Sequence, residues 1–196
     1  GQDGPIDSPK RKQQVGVVLS GSTFCGALTG KQVCGIMESL YDAFDRNWFQ
    51  EQCRRLAIPL DRKITEFSTG MRAKLKVLLA LSYKARLLIL DEPTAGLDVV
   101  ARETILDLLR SYMEQEGRGI LISSHISSDL EGLCDDLYLI DDGKIALHEE
   151  MDVLLDQYGL LKMDEATWQS IDKSWILRWK KEPWGVSALT SERRFY

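Results

Sequence analysis

The stretch LLILDEPTAGLD, residues 87–98, joins an apolar run to a group of carboxylates. Four aliphatic residues ended by Asp91 are typical of a parallel strand that is covered on both faces. A carboxylate at the end of such a strand can hold Mg²⁺, usually through water, against nucleotide phosphates. Glu92 follows directly, where a carboxylate can orient and deprotonate an attacking water. The rest of the stretch forms a tight loop that ends at Asp98.

Outward from this stretch, the pattern of apolar residues predicts strands that alternate with helices. One signal is a capping box at Thr29 and Gln32, and the same pattern recurs at Asn47 and Gln50. The predicted strands lie at residues 15–19, 87–90, 119–124 and 137–140, and further helices are predicted at about residues 68–83, 99–113, after 125, and at 150–158. Asp142-Gly143 predicts a hairpin turn between two antiparallel strands. The order is typical of an α/β fold.

Composition excludes some classes of function. The net charge is −5 and the only dense basic run is Arg178 to Lys181, so nucleic acid is not an expected partner. The apolar stretches are far shorter than the roughly 18 residues of a membrane span. With 196 residues, the chain is long enough for one sizeable core.

Three segments resemble motifs of the ATP-binding cassette (ABC) ATPases. LILDEPTAGLD resembles the Walker B motif and D-loop of that family. FSTGMRAKLKVLLAL, about twenty residues upstream, resembles the signature segment that opens a helix, with Thr69 where the family usually has glycine. ILISSHISSDLEGLCDDLYLIDDGKI resembles the switch strand and the segment that follows it. The resemblance covers roughly residues 13–160.

The resemblance implies a role for each matching residue. Asp91 would hold Mg²⁺ through water, Glu92 would act as the catalytic base, and His125 would contact the γ-phosphate of ATP. Ser68 and Gly70 would meet ATP held by the opposite subunit, and Asp98 of the D-loop would act across the same dimer. Ser20 stands where the family has a glutamine. Its hydroxyl can coordinate water or Mg²⁺, but the shorter side chain weakens the expected link between metal and membrane partner.

The phosphate-binding loop G-x-x-x-x-G-K-[ST] occurs nowhere in the 196 residues. The nearest match, Gly26 to Gln32, has three spacer residues and lacks the hydroxyl, and we interpret it as a capped helix start. We therefore expect an N-terminally incomplete cassette, from a truncated gene or fragment rather than a natural half-cassette. Such a chain is expected to be inactive alone.

The expected architecture is a P-loop NTPase-like ABC ATPase core with a parallel sheet and flanking helices. Residues 1–162 would form this partial domain, with a helical subdomain inserted at about 28–83, and 163–196 would be an accessory extension.

The family further implies ATP and Mg²⁺ as cofactors, a second ATPase subunit (homo- or heterodimer) and transmembrane permease subunits as partners. It implies a cytoplasmic location at the inner face of the membrane. Within the family, the chain resembles the ATPase subunits of bacterial exporters. Two alternatives stay open: a non-catalytic interaction module with the same fold, and a nucleic-acid- or translation-associated ATPase of the same superfamily.

Overall fold

A computed structural model describes residues 8–21 and 26–196 of the chain. These described residues fall into two compact units, the first ending at Leu133 and the second being Cys134–Tyr196. The first unit contains α1 (Pro9–Lys12), β1 (Val15–Val18), α2 (Gly30–Leu40), α3 (Arg46–Arg55), a 3-10 helix (Ile64–Glu66), α4 (Thr69–Leu81), β2 (Leu87–Asp91), α5 (Val99–Met113), β3 (Gly119–Ser123) and α6 (Ser127–Leu130). None of the helices that these described residues form has the length and apolar character needed to cross a membrane.

The first unit is built on a three-stranded parallel sheet in the order β1-β2-β3. Val18 pairs with Leu90 and Leu90 pairs with Ile122, so β2 is the middle strand. This confirms the predicted α/β fold with a parallel sheet. Because the strands run in the same direction, their carboxyl ends lie at one edge of the sheet, where Asp91 is opposite Ser123.

Helix α4 connects two apolar clusters of the first unit. One face packs with the sheet and α5, in a cluster that includes Val77, Leu88 and Leu109. Another face packs with α2 and α3, where Leu75 and Phe49 are fully buried. The helices between β1 and β2 therefore form a layer that is attached to the sheet through α4.

Side-chain caps set where the helices begin. The predicted capping box is confirmed: Thr29 accepts a hydrogen bond from the backbone N–H of Gln32, and the Gln32 side chain accepts one from the N–H of Thr29. The predicted cap at Asn47 is wrong. Asp45 caps α3 by accepting a 2.9 Å hydrogen bond from the N–H of Trp48, which places Asn47 inside the first turn.

The second unit begins with the predicted antiparallel hairpin. Its elements are β4 (Asp136–Asp141), β5 (Lys144–Glu150), α7 (Met151–Gln157), β6 (Gly159–Met163), α8 (Glu165–Ser170), β7 (Ile176–Glu182) and β8 (Gly185–Thr190). Asp142 and Gly143 have φ of 46° and 70°, the left-handed pair that a tight hairpin requires. Among the described residues β4 pairs with β5 alone and is not part of the parallel sheet.

The tail of the chain forms an antiparallel sheet in the order β6-β8-β7, which the sequence analysis does not predict. Trp168 of α8 packs on Val186 and Ala188 of β8, whereas Trp175 and Trp184 are about half exposed. The domain boundary at residue 163 stays a prediction, and residues 1–7 of the predicted first domain lie outside the described residues.

Strand β2 allows a matched test of the core. Leu88 is fully buried and Leu87, its neighbour on the opposite face, is 39% exposed. Leu88→Ala should lower the free energy of unfolding by about 2–5 kcal/mol, because it leaves a cavity beneath the sheet. Leu87→Ala should cost at most about 1 kcal/mol. Urea unfolding followed by circular dichroism measures both, and equal losses would contradict the assigned faces of β2.

Candidate active site

The carboxyl end of β2 carries Asp91 between two serine hydroxyl groups. Ser20, just after β1, donates from its Oγ to Asp91 Oδ2 at 2.5 Å and from its backbone N–H at 3.2 Å. Ser123, at the end of β3, donates from its Oγ to Asp91 Oδ1 at 2.7 Å. These donors favour the charged carboxylate, so the Ser20 hydroxyl and then Ser123 hold the pKa of Asp91 below its ordinary value.

Glu92 is the first residue of the loop after β2, and it is in the left-handed region with φ of 50°. For a residue other than glycine this conformation costs about 1–2 kcal/mol. Its backbone N–H donates to the carbonyl oxygen of Ser123 at 3.1 Å, which holds the strained residue against β3. The backbone therefore turns at Glu92, directly after β2 ends at Asp91.

His125 lies beside Glu92. Its Nδ1 is 2.7 Å from Glu92 Oε2, a hydrogen bond in which the imidazole donates when Nδ1 carries the proton. The histidine side chain is 72% exposed and the glutamate side chain 25% exposed. The structure thus brings Ser20, Asp91, Glu92 and His125 together at one edge of the sheet. His148 lies in the second unit, where its ring stacks on Tyr138.

A cleft of about 500 Å³ opens next to these residues, with α4 forming its other wall. It is lined by Ser20, Asp91 and Glu92 on one side and by Thr69, Arg72 and Lys76 of α4 on the other. Lys76 donates from Nζ to the carbonyl oxygen of Leu19 at 3.1 Å. Burial, followed by the charge of Arg72, lowers the pKa of Lys76. The cleft therefore has acidic and basic groups facing one volume, which suits a ligand that carries both metal ion and phosphate.

Ser123 and the two cations of α4 were not predicted from the sequence. Arg72 and Lys76 are four residues apart, so a helical projection would have placed them on one face. Nothing in the sequence shows that this face turns towards β2. Ser123 also lies within the quoted switch segment, and its position opposite Asp91 follows only from the register of β2 and β3.

The remaining predicted residues lie at helix starts. Ser68 caps α4 by accepting a hydrogen bond from the N–H of Met71 at 3.2 Å, and Asp98 caps α5 by accepting one from the N–H of Ala101 at 2.8 Å. Gly70 faces Gly96 and Leu97, so the start of α4 lies next to the loop that ends at Asp98. Lys31 of the rejected loop match pairs with Asp61 at 2.5 Å.

The donor set at Asp91 suits Mg²⁺. A charged carboxylate and a neighbouring hydroxyl are hard oxygen ligands, which this ion prefers. Both Asp91 oxygens already accept hydrogen bonds from serines, which favours contact through a bound water. Among the residues that the structure describes, no group of three or more His, Cys, Asp or Glu is arranged to hold a metal. Phosphate oxygens would have to supply further ligands.

The hydrogen bonds to Asp91 predict a pH effect. Ser20→Ala should raise the pKa of Asp91 towards its ordinary value, since the variant loses the hydroxyl donor. A carboxylate with a lowered pKa stabilises the fold above its unfolded-state pKa, so the advantage of the wild type over the variant should disappear as the pH falls through the lowered value.

Carboxyl ¹³C NMR titration measures the pKa of Asp91 directly. Ser124→Ala is the control, because the Ser124 hydroxyl bonds only to Ile126 among its described partners. An unchanged pKa in Ser20→Ala would contradict the assignment of the shift to Ser20.

Comparisons with known proteins identify relatives of this chain. A family model described as "AAA domain, putative AbiEii toxin, Type IV TA system" matches residues 60–128. The ABC transporter ATP-binding protein YtrB of Bacillus subtilis is 31% identical over 155 residues, which cover 79% of this chain and 53% of YtrB. The Nod factor export ATP-binding protein I of Rhizobium meliloti is 39% identical over 103 residues, 53% of this chain and 30% of that protein.

Among solved structures, the dimeric post-hydrolysis state of the ATP-binding cassette MJ0796 bound to ADP and Pi superposes with a TM-score of 0.63. It is 20% identical and the match covers 73% of this chain and 65% of that one, which shows a common fold. The chain spans about half the length of YtrB. The chain is a homologue of ABC transporter ATP-binding proteins, and its α/β fold is that of the ABC ATPase cassettes.

Proposed function

We propose that this chain forms the hydrolytic half of an ATP-binding subunit that couples ATP hydrolysis to transport across a membrane. The observation that carries the proposal is the 2.7 Å contact between His125 and Glu92, directly beside Asp91. A base, a group that orients it and a candidate metal carboxylate therefore lie together at the carboxyl ends of β2 and β3. Paired carboxylates after a strand are common in proteins, but the histidine contact to the second of them is a more specific arrangement.

In this proposal Glu92 accepts the proton of the attacking water. Its carboxylate is only a quarter exposed and its backbone is held in a strained turn, so the group has little freedom to leave the position. When Nδ1 carries the proton, His125 donates to Oε2 of the carboxylate, and the other oxygen can accept from water. The imidazole thereby orients the base. When Nε2 also carries a proton, the ring can donate from that nitrogen to phosphate oxygens.

Asp91 would hold Mg²⁺ through water. Ser20 would hold the ion through water or through its hydroxyl. Bound there, Mg²⁺ would neutralise charge that develops on the phosphate oxygens during transfer. Arg72 and Lys76 line the opposite wall of the cleft and would add positive charge towards the phosphates.

Ser68, Gly70 and Asp98 are proposed to act across a dimer of two cassettes. The N-terminus of α4 presents backbone N–H groups and a positive dipole end, which suit an anion held by the facing subunit. The adjacency of Gly70 to the loop before Asp98 supports a single contact surface made by both segments. MJ0796 is a dimeric cassette with a related fold, and it supports this arrangement by analogy.

The wider assignments rest on the relatives. YtrB and the Nod factor export protein bear names of transporter ATP-binding proteins, so permease subunits are the proposed membrane partners and the inner face of the membrane the proposed location. The name of the second relative favours export. The partner cassette is either a second copy or a related chain.

The phosphate-binding loop is the part that the 196 residues do not contain, so we propose that the chain alone binds ATP poorly and hydrolyses none. The same observation favours one second candidate, a non-catalytic module that keeps the fold and the dimer surface. The two proposals differ in whether Glu92 matters once a phosphate-binding loop is supplied.

The test uses a chimera in which a cassette segment carrying G-x-x-x-x-G-K-[ST] is fused ahead of residue 8. Glu92→Gln in this chimera should keep ATP binding and slow phosphate release by about 10²- to 10⁴-fold, the range typical for loss of a general base. Asp91→Asn should lose Mg²⁺ and with it both affinity and turnover.

His148→Gln is the matched control and should leave turnover unchanged, because His148 lies in the second unit and contacts Tyr138 and Asp136. Calorimetric titration and a phosphate-release assay give the two readouts. Turnover in Glu92→Gln equal to that of the parent chimera would remove Glu92 as the base, and a chimera that binds but never hydrolyses ATP would favour the non-catalytic module.

A further inference from the structure

A buried polar cluster lies behind the Glu92 loop. Asp129 of α6 is fully buried and Thr94 is 2% exposed. The Thr94 hydroxyl donates to Asp129 Oδ2 at 2.5 Å, and Arg102 of α5 donates from Nε to Asp129 Oδ1. Arg102 also donates from Nη2 to the hydroxyl of Ser128 at 2.6 Å. Both carboxylate oxygens are thus satisfied, as a buried charge requires.

The cluster connects the two segments that carry the proposed catalytic pair. Thr94 is two residues after Glu92 in the loop that follows β2, and Asp129 is four residues after His125 in the segment that follows β3. Besides this cluster, the backbone N–H of Glu92 also links the two segments, because it donates to the carbonyl oxygen of Ser123. The carboxylate of Asp129 therefore makes a second connection between the two segments that carry Glu92 and His125.

Packing alone does not hold His125. Its side chain is 72% exposed, so few neighbours restrict the ring. Its position relative to Glu92 then depends on the backbone of the two segments. Glu92 in turn has a strained, left-handed backbone, which persists only when its surroundings hold it.

We infer that Asp129 is a positioning residue that sets the Glu92–His125 contact by binding Thr94 and Arg102. Its catalytic meaning rests on the proposed function, but the contact that it controls can be measured without ATP. Loss of the carboxylate would leave the Thr94 hydroxyl without its acceptor and the Arg102 charge without its partner. The Glu92 loop and the His125 segment would then move apart, although the sheet beneath them stays intact.

The test measures the imidazole ¹⁵N and ¹H NMR signals of His125 in the 196-residue chain, at a pH at which the ring is neutral. In the wild type, the Nδ1-protonated tautomer should dominate, since Glu92 accepts from that nitrogen. Asp129→Asn keeps the size of the side chain but replaces one of the two acceptor oxygens with a donor and removes the charge that pairs with Arg102. Thr94→Val keeps the shape of Thr94 and removes its hydroxyl. Each should lower the population of the Nδ1-protonated tautomer by at least about twofold, while the signals of His148 stay unchanged.

Arg110→Met is the matched control. Arg110 lies on the same helix as Arg102 and ties α5 to the carbonyl oxygen of Gly132 at 3.1 Å, beyond α6, without touching Thr94 or Asp129. It should leave the His125 signals unchanged. A shift in Arg110→Met as large as that in Asp129→Asn would mean general loosening and would overturn the inference.

Unchanged His125 signals in folded Asp129→Asn would overturn it as well. If Asp129→Asn does not fold, Thr94→Val decides: a shifted tautomer population supports the inference and an unchanged one overturns it. Failure of the loop-bearing chimera to hydrolyse ATP would refute the proposed function and leave this result as it stands, because the measurement involves no nucleotide.

Discussion

The parallel pairing of β2 with β1 on one side and with β3 on the other places Asp91 between two hydroxyl groups. Ser20 and Ser123 reach its two oxygens because the three strands end at the same level. A shift of β3 by one residue would reverse its faces and carry the Ser123 hydroxyl away from Asp91. The charge state of Asp91, the turn at Glu92 and the approach of His125 all depend on this register.

The site also contains features that oppose folding, and the core offsets them. Glu92 has a left-handed backbone conformation, and the carboxyl group of Asp129 is fully buried. Each is tolerable because hydrogen bonds hold it in place and because α4 and α5 pack on the sheet around fully buried Leu88 and Leu109. Local strain combined with a rigid support is typical of sites that must hold a reactive group in place.

The sequence allowed much of the first unit to be predicted, because its signals are local. The aliphatic run before Asp91, the capping box at Thr29 and the cap at Ser68 each act within a few residues, and the helix predicted at 99–113 has those bounds. The cap at Asp45 was missed since Asn47 offered an equally good local pattern. The tail sheet was missed because β6 pairs with β8, which lies beyond α8 and β7 in the chain, and no periodicity reveals that pairing.

The candidate site divides in the same way. Asp91, Glu92 and His125 lie in motifs that can be recognised in the sequence. Ser123, Lys76 and Asp129 are identified only by their contacts with distant segments of the chain. The roles of the motif residues in hydrolysis stay proposals, as does the action of Ser68, Gly70 and Asp98 across a dimer.

The central claim is that the carboxyl end of β2 binds a metal–nucleotide complex. Mn²⁺ replaces Mg²⁺ at oxygen ligands and broadens NMR signals of nearby nuclei, so the measurement is the line width of backbone amides in the loop-bearing chimera with Mn²⁺ and ATP. We expect strong broadening at Ser20, Glu92 and Ser123, none at His148, and recovery when Mg²⁺ displaces Mn²⁺. Unbroadened signals at Ser20 and Ser123 in a sample that binds Mn²⁺ and ATP elsewhere would contradict the claim.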